Sequence, residues 1–350
     1  MWLVTVRDLQ YRALRFGVSI IGTAVLLAMV FLMTGLSAQL VKEPSDTVAA
    51  LGADGWVVRE GVSGPFTVGS TLPENVYREL ELGSGSRAAP VLIARQTYRV
   101  AGGPPRDVTI VGHDGSGLGS PRVAEGRAIA GAREIVADAV AGLEVGASVP
   151  IGDIDYEIVG ESRNLTLFAG MPLVFMSLRD AQVLVAQGEP IASAILVDGT
   201  VRTMPRGLKV LTVEEVAADA LRPVEKSTGA IDMVRVLLWL VAAIIIGAVI
   251  YLAALERQRD FAVMKAMGSS TWSLLAGLLA QSVLIALVAA ILASGLQILL
   301  VPFFPLPVVV PRTTFLTLPL LAVGVAVVAS LGALRQAVKV EPALAFAGKG

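Results

Sequence analysis

The chain has 350 residues, of which 55% are hydrophobic and only 16% are charged, and its formal net charge is −1. Soluble domains are about 25% charged, so the composition indicates a membrane protein, and the near-neutral charge argues against nucleic acid as a partner. The sequence has no cysteine, which excludes disulfides, thiolate metal sites and cysteine nucleophiles, and its single histidine, His113, excludes most histidine-based metal sites and triads.

Residues 1–16 have the pattern of an amphipathic helix. Apolar residues recur at helical spacing on one face, and Arg7, Asp8, Arg12 and Arg15 lie on the other side. The pattern predicts an interfacial cytoplasmic helix that leads into the first membrane span. A basic flank that only fixes the topology is the alternative.

Four uncharged windows are long enough to span a membrane, since a spanning helix needs about 20 apolar residues. They lie at 16–41, 236–255, 266–311 and 313–334. The first window is too long for the apolar core of a signal peptide and no cleavage motif follows it, so we predict an uncleaved span at 17–41. Prolines crowd the end of the third window, which predicts a span at 271–301 and a turn at 302–312. The other spans are predicted at 229–255, beginning with a stalk, and at 313–334.

Residues 42–228, between the first two spans, have the pattern of a globular α+β domain. The segments "VLIARQTYRV", "RDVTIVGHDG" and "GDIDYEIVG" are typical of strands. Ser/Thr-x-x-Asp/Glu patterns predict helix starts at Thr71, Ser177 and Thr212. Strands and helices are mixed rather than alternating, so we do not expect a doubly wound sheet.

Several polar motifs in this domain raise the question of chemistry, and we predict neither a catalytic nor a metal site. The Gly-rich "GHDGSGLGS" (112–120) lacks the lysine of a phosphate-binding loop, which favours a flexible loop. Asp153, Asp155 and Glu157 share one strand face, which is more typical of an exposed charged surface than of a metal site. His113 is expected at the surface, and "EGVSGPF" (60–66) is expected to be a turn.

The segment "ALERQRDFAVMKAMGSS" interrupts the apolar sequence between the second and third spans. It predicts a short amphipathic helix at 256–270 that stops at Gly268. Phe261, Met264 and Gly268 share one face beside Lys265. A topology signal needs only Lys and Arg, whereas charges of both signs suit a helix that docks into a groove of another protein. An ordinary charged loop is the alternative.

Orientation follows from the Lys and Arg residues next to the spans. They place 1–16, 256–270 and the tail 335–350 in the cytoplasm, and therefore 42–228 and 302–312 outside, in a multi-pass membrane protein. No charged residue lies within the four windows, which argues against ion-coupled transport. The sequence has no Walker motif, so any ATP would be bound by another chain.

The segment "LERQRDFAVMKAMGSSTWSLL" (255–275) resembles the sequence that follows the second span in FtsX-like permeases of the MacB, LolC and DevC type. The tail "VKVEPALAFAGKG" is similar to the tail of that family. Residues 131–162 and 171–185 resemble parts of its extracytoplasmic module. The order of parts agrees as well: one span, a large outside domain, then three spans.

The resemblance implies a polytopic α-helical protein of the bacterial plasma (inner) membrane, with four transmembrane helices and an α+β extracytoplasmic domain inserted between the first and second. It implies a non-catalytic permease subunit of an ATP-binding cassette (ABC) transporter, which drives export or force transmission. The implied partners are two copies of an ABC ATPase, which would bind the ATP and Mg, and a second permease as homodimer or close paralogue. A periplasmic adaptor and membrane lipid are further partners that it allows.

The resemblance also implies that 256–270 is the helix that couples the permease to the ATPase. The residues that would form this site are Glu256, Arg257, Arg259, Asp260, Phe261, Met264, Lys265, Met267 and Gly268. The charged residues at its start would contact the ATPase surface, and Phe261, Met264 and Met267 would hold the helix in its groove.

Two other functional classes compete with this interpretation. A membrane-anchored sensor of an extracytoplasmic ligand would need a cytoplasmic output domain, and the predicted cytoplasmic segments are all short. An enzyme would need a catalytic constellation in 42–228, and the residues there suggest none. The cargo is left open by the sequence.

Overall fold

The computed structural model describes residues 13–67, 69–100, 103–256, 271–304 and 308–337. The predicted N-terminal helix up to residue 12, the coupling residues 257–270 and the tail from residue 338 lie outside the described residues. The chain divides into two compact units, residues 1–38 with 229–350, and residues 39–228.

Five α-helices and fifteen strands are present in the described part of the chain. The helices are α1 (Ala13–Ala50), α2 (Leu178–Ala186), α3 (Val213–Glu256), α4 (Thr271–Leu300) and α5 (Thr314–Ala337). The strands are β1 (Gly55–Arg59), β2 (Leu72–Pro73), β3 (Glu81–Leu82), β4 (Arg87–Arg99), β5 (Pro105–His113), β6 (Glu125–Gly126), β7 (Glu134–Asp138), β8 (Ser148–Ile151), β9 (Ile154–Ser162), β10 (Thr166–Leu167), β11 (Met171–Ser177), β12 (Ile191–Ala192), β13 (Ala194–Asp198), β14 (Val201–Thr203) and β15 (Leu208–Thr212). Short 3₁₀ helices span Glu74–Glu79, Ala139–Ala141 and Val301–Phe303.

Four helices of the described residues are long and apolar enough to cross a membrane, and the first unit contains part or all of each. The apolar stretches are Gly17–Ala50, Val213–Leu252, Leu279–Phe303 and Thr314–Leu331. Their buried side chains form one cluster, and α4 contributes mainly alanines to it, at positions 286, 289, 290 and 293. Small residues let helix backbones approach closely, which is how helices associate when lipid is the solvent. The predicted fold class, four spanning helices with an α+β domain between the first and second, is confirmed.

The second unit is a mixed, mostly antiparallel sheet with helices against it. The strands follow the order β10-β11-β7-β9-β8-β4-β13-β1-β15, and β5 pairs with both β4 and β11. The pairs β5–β11 and β7–β9 are parallel. Strand β4 also meets β8 through Tyr98 and Ile151, so six strands close into a ring, β4-β5-β11-β7-β9-β8.

Among the described residues, three hydrophobic clusters stabilise this domain, and two of them include residues of α-helices. One surrounds Trp56 and Phe175 and includes the domain ends of two helices, with Val48 and Leu51 from α1 and Val216 from α3. The other contains Tyr156, Ile110 and Met176 together with residues of α2. The sheet is therefore covered by helices that begin or end at its edge, and α1 and α3 are part of its core.

The sequence patterns predicted correctly those features of the domain that depend on contacts between neighbours in the chain. Strand β9 alternates as predicted, with Tyr156 and Ile158 buried and Asp155 and Glu157 exposed. Ser177 caps α2 by accepting a hydrogen bond from Asp180 N (3.0 Å). Thr212 and Glu215 form a reciprocal capping box at α3, with bonds of 2.8 and 3.2 Å.

Two expectations about the domain are wrong. Thr71 caps no helix, because Leu72 and Pro73 form a strand and the 3₁₀ helix that follows is capped by Pro73 without a side-chain bond. His113 is buried rather than at the surface, since it is the last residue of β5. The loop after it is exposed at residues 114–117, and only its end is packed, where Leu118 is buried and Gly119 N donates to Leu51 O (2.9 Å).

Candidate functional site

The predicted coupling residues lie in the connection between α3 and α4. Of the nine, the described part of the chain includes Glu256 alone, as the last residue of α3, and α4 begins at Thr271. The other eight lie outside the described residues, so their role stays a prediction. Both flanking helices contribute to the buried cluster of the membrane unit, through Ile250 on α3 and Ala286 on α4, for example. The charged segment therefore joins two helices that belong to one packed bundle.

At its other end, α3 carries a buried carboxylate that holds a loop of the domain. Asp219 is 1% exposed, and its Oδ2 accepts hydrogen bonds from Phe66 N (3.0 Å) and Thr67 N (3.2 Å). Its Oδ1 accepts a further bond from the Thr67 hydroxyl. Hydrogen bonds to a charged acceptor are about twice as strong as neutral ones. We call this contact the Asp219 anchor.

Helix α1 carries a matching carboxylate, the Glu43 anchor. Glu43 is 5% exposed and accepts hydrogen bonds from Ala169 N (3.2 Å) and Gly170 N (2.8 Å). One turn further along α1, the Thr47 hydroxyl donates to Thr166 O (2.7 Å). Both helices that enter the domain are thus tied to a loop of it by an acidic side chain and two backbone N–H groups.

The loop held by Glu43 has an unusual backbone. Phe168, Ala169 and Gly170 all have positive φ, at 54°, 70° and 92°. A non-glycine residue in this region costs on the order of 1 kcal/mol, and such strain persists only where the surroundings hold it in place. Successive N–H groups in this conformation form a concavity that binds anions, and the Glu43 carboxylate occupies it. The anchor and the strained loop therefore depend on each other.

Our sequence analysis missed both anchors, although a signal for them exists. Leu40, Glu43 and Thr47 fall on one buried stripe of α1, and Val216 and Asp219 fall on one buried face of α3. A carboxylate at a core position of an amphipathic helix needs a hydrogen-bonding partner, because burying an unpaired charge is costly. Periodicity can identify the buried acidic residues. It cannot identify their hydrogen-bonding partners, because these lie far away in the chain.

Other titratable groups of the domain have pKa values that are shifted by their surroundings. Glu134 pairs with Arg127 (2.6 Å) and accepts from Ala130 N and Gly131 N, and these contacts lower the pKa of its carboxyl to about 2. Burial raises the pKa of Tyr156 to about 12 and lowers the pKa of His113. Among the residues that the structure describes, no three His, Asp or Glu side chains come together as metal ligands.

Comparison with protein families gives two matches that together cover most of the chain. Residues 17–221 match the MacB-like periplasmic core domain, and residues 233–342 match the FtsX-like permease C-terminal region. An uncharacterized ABC transporter permease of Mycobacterium bovis is 39% identical over 354 residues, which cover 99% of this chain and 100% of the relative. Another, of Mycobacterium tuberculosis, is 37% identical over 348 residues, with coverage of 99% and 100%.

Two solved structures are similar to parts of the chain. The extracellular domain of the ABC-type transporter YknZ from Gram-positive bacteria is 14% identical, with a TM-score of 0.31, and the match covers 41% of this chain and 90% of that one. The periplasmic region of MacB from Actinobacillus actinomycetemcomitans is 8% identical, with a TM-score of 0.34, and the match covers 50% of this chain and 95% of that one.

Proposed function

The chain belongs to the FtsX-like ABC transporter permeases with a MacB-like periplasmic core domain, and from this premise we propose how it works. It is a transporter membrane subunit without catalytic activity of its own. A separate ATPase subunit supplies the energy, and the permease converts it into export or into force on its extracytoplasmic domain.

The observation that carries this proposal is the charged segment between α3 and α4. It lies inside the region that matches the FtsX-like family, and its charges of both signs suit a protein groove better than a topology signal. Glu256, Arg257, Arg259 and Asp260 would contact the ATPase, with Lys265 beside them. Phe261, Met264 and Met267 would fill the groove, and Gly268 would end the helix.

Helix α3 supports a mechanical connection to the domain. It is one helix from Val213 to Glu256, and it carries the Asp219 anchor near one end and the coupling segment at the other. A displacement of the coupling segment would pull on α3 and, through Asp219, on the loop at Phe66. No polar path between the spans is needed for such work.

The assembly that this proposal requires has two ATPase subunits, each with bound ATP and Mg, and a second permease copy, either identical or a close paralogue. The coupling segment and both termini face the cytoplasm, and 42–228 lies outside the plasma membrane. A periplasmic adaptor and membrane lipid would be further partners.

A co-purification experiment tests the coupling role. The tagged permease is expressed with the ATPase encoded beside it, and wild type is compared with Arg259→Glu/Met264→Asp. Arg206→Glu, an exposed charge reversal in the domain, is the matched control. We expect the ATPase to co-purify with wild type and with the control, and to be lost from the double variant.

Either of two results would overturn the proposal. If no ATPase co-purifies with wild type, or if the double variant binds it as well as wild type does, the segment is not a coupling helix. The sensor of an extracytoplasmic ligand would then be the better interpretation of the chain.

A further inference from the structure

The domain contains a cavity of about 700 Å³ that the proposed coupling mechanism does not use. Cavities that bind small molecules usually measure about 300–1,000 Å³. Five segments contribute to its lining: the loop at Phe66 and Thr67, strand β4 at Ile93 and Arg95, strand β5 at Thr109, the loop at Phe168, and α3 at Arg222. All of them belong to the unit formed by residues 39–228.

The lining combines apolar surface with two positive charges. Phe66, Phe168 and Ile93 supply apolar side chains, and Arg95 and Arg222 supply guanidinium groups. The Arg95 guanidinium lies 3.9 Å from the centroid of the Phe168 ring. This stacking holds the group in place at the cavity while leaving its edge N–H groups able to donate.

The charges of the two arginines are not neutralised within the domain. Among the described residues no carboxylate forms an ion pair with Arg95 or Arg222, and the lining contains no acidic side chain. Asp219 does not line the cavity. It is buried, and its carboxylate oxygens accept hydrogen bonds from Phe66 and Thr67. The cavity therefore offers a positive potential beside apolar surface.

We propose that this cavity binds a small amphiphilic anion, a molecule that carries a carboxylate or phosphate group on an apolar body. Guanidinium groups bind both kinds of oxyanion with paired hydrogen bonds. The aromatic and aliphatic side chains take the apolar part, and burying it supplies most of the affinity. A neutral compound of the same shape would lack the charge-assisted hydrogen bonds to the two guanidinium groups, which are exposed and would stay solvated.

The site is placed where its occupant would contact both anchored loops. Phe66 and Thr67 are held by Asp219 of α3, and Phe168 directly precedes the residues held by Glu43 of α1. An occupant that touches Phe66 and Phe168 therefore bridges the loops tied to the two helices that enter the domain. This inference concerns the domain and does not depend on binding of an ATPase.

Photo-crosslinking of the full chain tests the site. The protein is placed in nanodiscs of zwitterionic phosphatidylcholine and irradiated with a diazirine derivative of decanoate, or with the matching neutral decanamide. Labelled peptides are identified by mass spectrometry. We expect the carboxylate probe to label peptides that contain Phe66, Ile93 and Phe168, and the amide to label them about tenfold less, because it lacks the charge-assisted contacts.

Variants of the lining residues test separately how the charge and the shape of the cavity contribute to labelling. Arg95→Gln/Arg222→Gln should reduce labelling of these peptides about tenfold, whereas Arg95→Lys/Arg222→Lys, which keeps the charges but not the stacking or the paired hydrogen bonds, should give intermediate labelling. Gly69→Leu adds bulk at a lining position where an added Cβ meets open space, and it should block labelling without a change of charge. Arg202→Gln, an exposed arginine outside the lining, is the control.

A competition experiment shows whether the site prefers a carboxylate or a phosphate headgroup. Unlabelled decanoate and decyl phosphate are added separately, and the stronger competitor identifies the headgroup, while inorganic phosphate alone should not compete. Equal labelling by the carboxylate and amide probes would overturn the proposal. Undiminished labelling of Gly69→Leu would do so as well, and this variant keeps the test decisive if the arginine variants fold poorly.

Discussion

Removing the carboxylate of Asp219 should release the loop around Phe66 from α3. Asp219→Ala deletes the acceptor for Phe66 N and Thr67 N and for the Thr67 hydroxyl. Because Thr67 is exposed, water can replace its lost bonds, whereas Phe66 is buried and its N–H would lose its partner. Leaving a buried donor unpaired costs about 1–3 kcal/mol, and bonds to a charged acceptor are worth about 1.5–3 kcal/mol each.

These values are not additive, since the three bonds share one side chain. We therefore expect Asp219→Ala to lower the free energy of opening of this loop by about 3 kcal/mol. Asp219→Asn keeps the shape and one acceptor oxygen, so we expect a loss of about 1 kcal/mol. Thr67→Ala removes only the hydroxyl bond and serves as a second partial perturbation.

Hydrogen exchange with mass spectrometry, on the full chain in nanodiscs, measures this local opening. A loss of about 3 kcal/mol corresponds to exchange about 100-fold faster in the peptide that contains Phe66 and Thr67. Asp219→Asn should give an intermediate rate. If exchange in this peptide is unchanged in Asp219→Ala, the loop is held by other contacts and the reasoning about the anchor is refuted.

Three further perturbations test other parts of the domain. Glu43→Gln should speed amide hydrogen exchange at Gly170 about tenfold, because the uncharged amide is a weaker acceptor. An unchanged rate would mean that the loop keeps its conformation without Glu43. Gly112→Ala should destabilise the domain by about 1–3 kcal/mol, measured by thermal unfolding, because the added Cβ would overlap Ala181; an unchanged midpoint would contradict the close packing. The pKa of Glu134 is lowered from 4.5 to about 2, so its ionised form favours the folded state; this contribution is complete above pH 4.5 and lost as the pH falls towards 2. Glu134→Gln should make the unfolding midpoint depend less on pH in that range. If the midpoint of this variant depends on pH as strongly as that of wild type, other groups cause the dependence.

Periodicity and capping patterns predicted the elements whose contacts are local. The alternation around Tyr156 gave a strand, and the Thr212–Glu215 box gave the start of α3, because each signal involves neighbours in the chain. The Asp219 anchor joins residues 153 positions apart. Such a contact depends on which strands are adjacent, and no pattern within one segment encodes that order.

The error about His113 has a related cause. A histidine beside a Gly-rich segment has the composition of an exposed loop. In the structure the loop folds back, with Gly115 N donating to His113 Nδ1 (3.2 Å) and the Ser120 hydroxyl 3.1 Å from the same nitrogen. The family resemblance indicated the four spans and the inserted domain, but it carries no information about such packing.

The position of β1 in the sheet has a consequence for biosynthesis. Strand β1 lies between β13 and β15, so the first strand of the domain to leave the ribosome pairs only with two of the last three. Until Leu208–Thr212 has been made, β1 has at least one open edge, and open edges pair readily with foreign chains.

Helix α3 begins at Val213, directly after β15. Strand β15, which covers the second edge of β1, is therefore synthesised just before α3. A nascent chain cut short before this point would carry an inserted first helix and an unfinished sheet, which is the form that chaperones and membrane proteases recognise. The sheet is therefore completed only when synthesis reaches α3, the helix whose first turns also pack into the core of the domain.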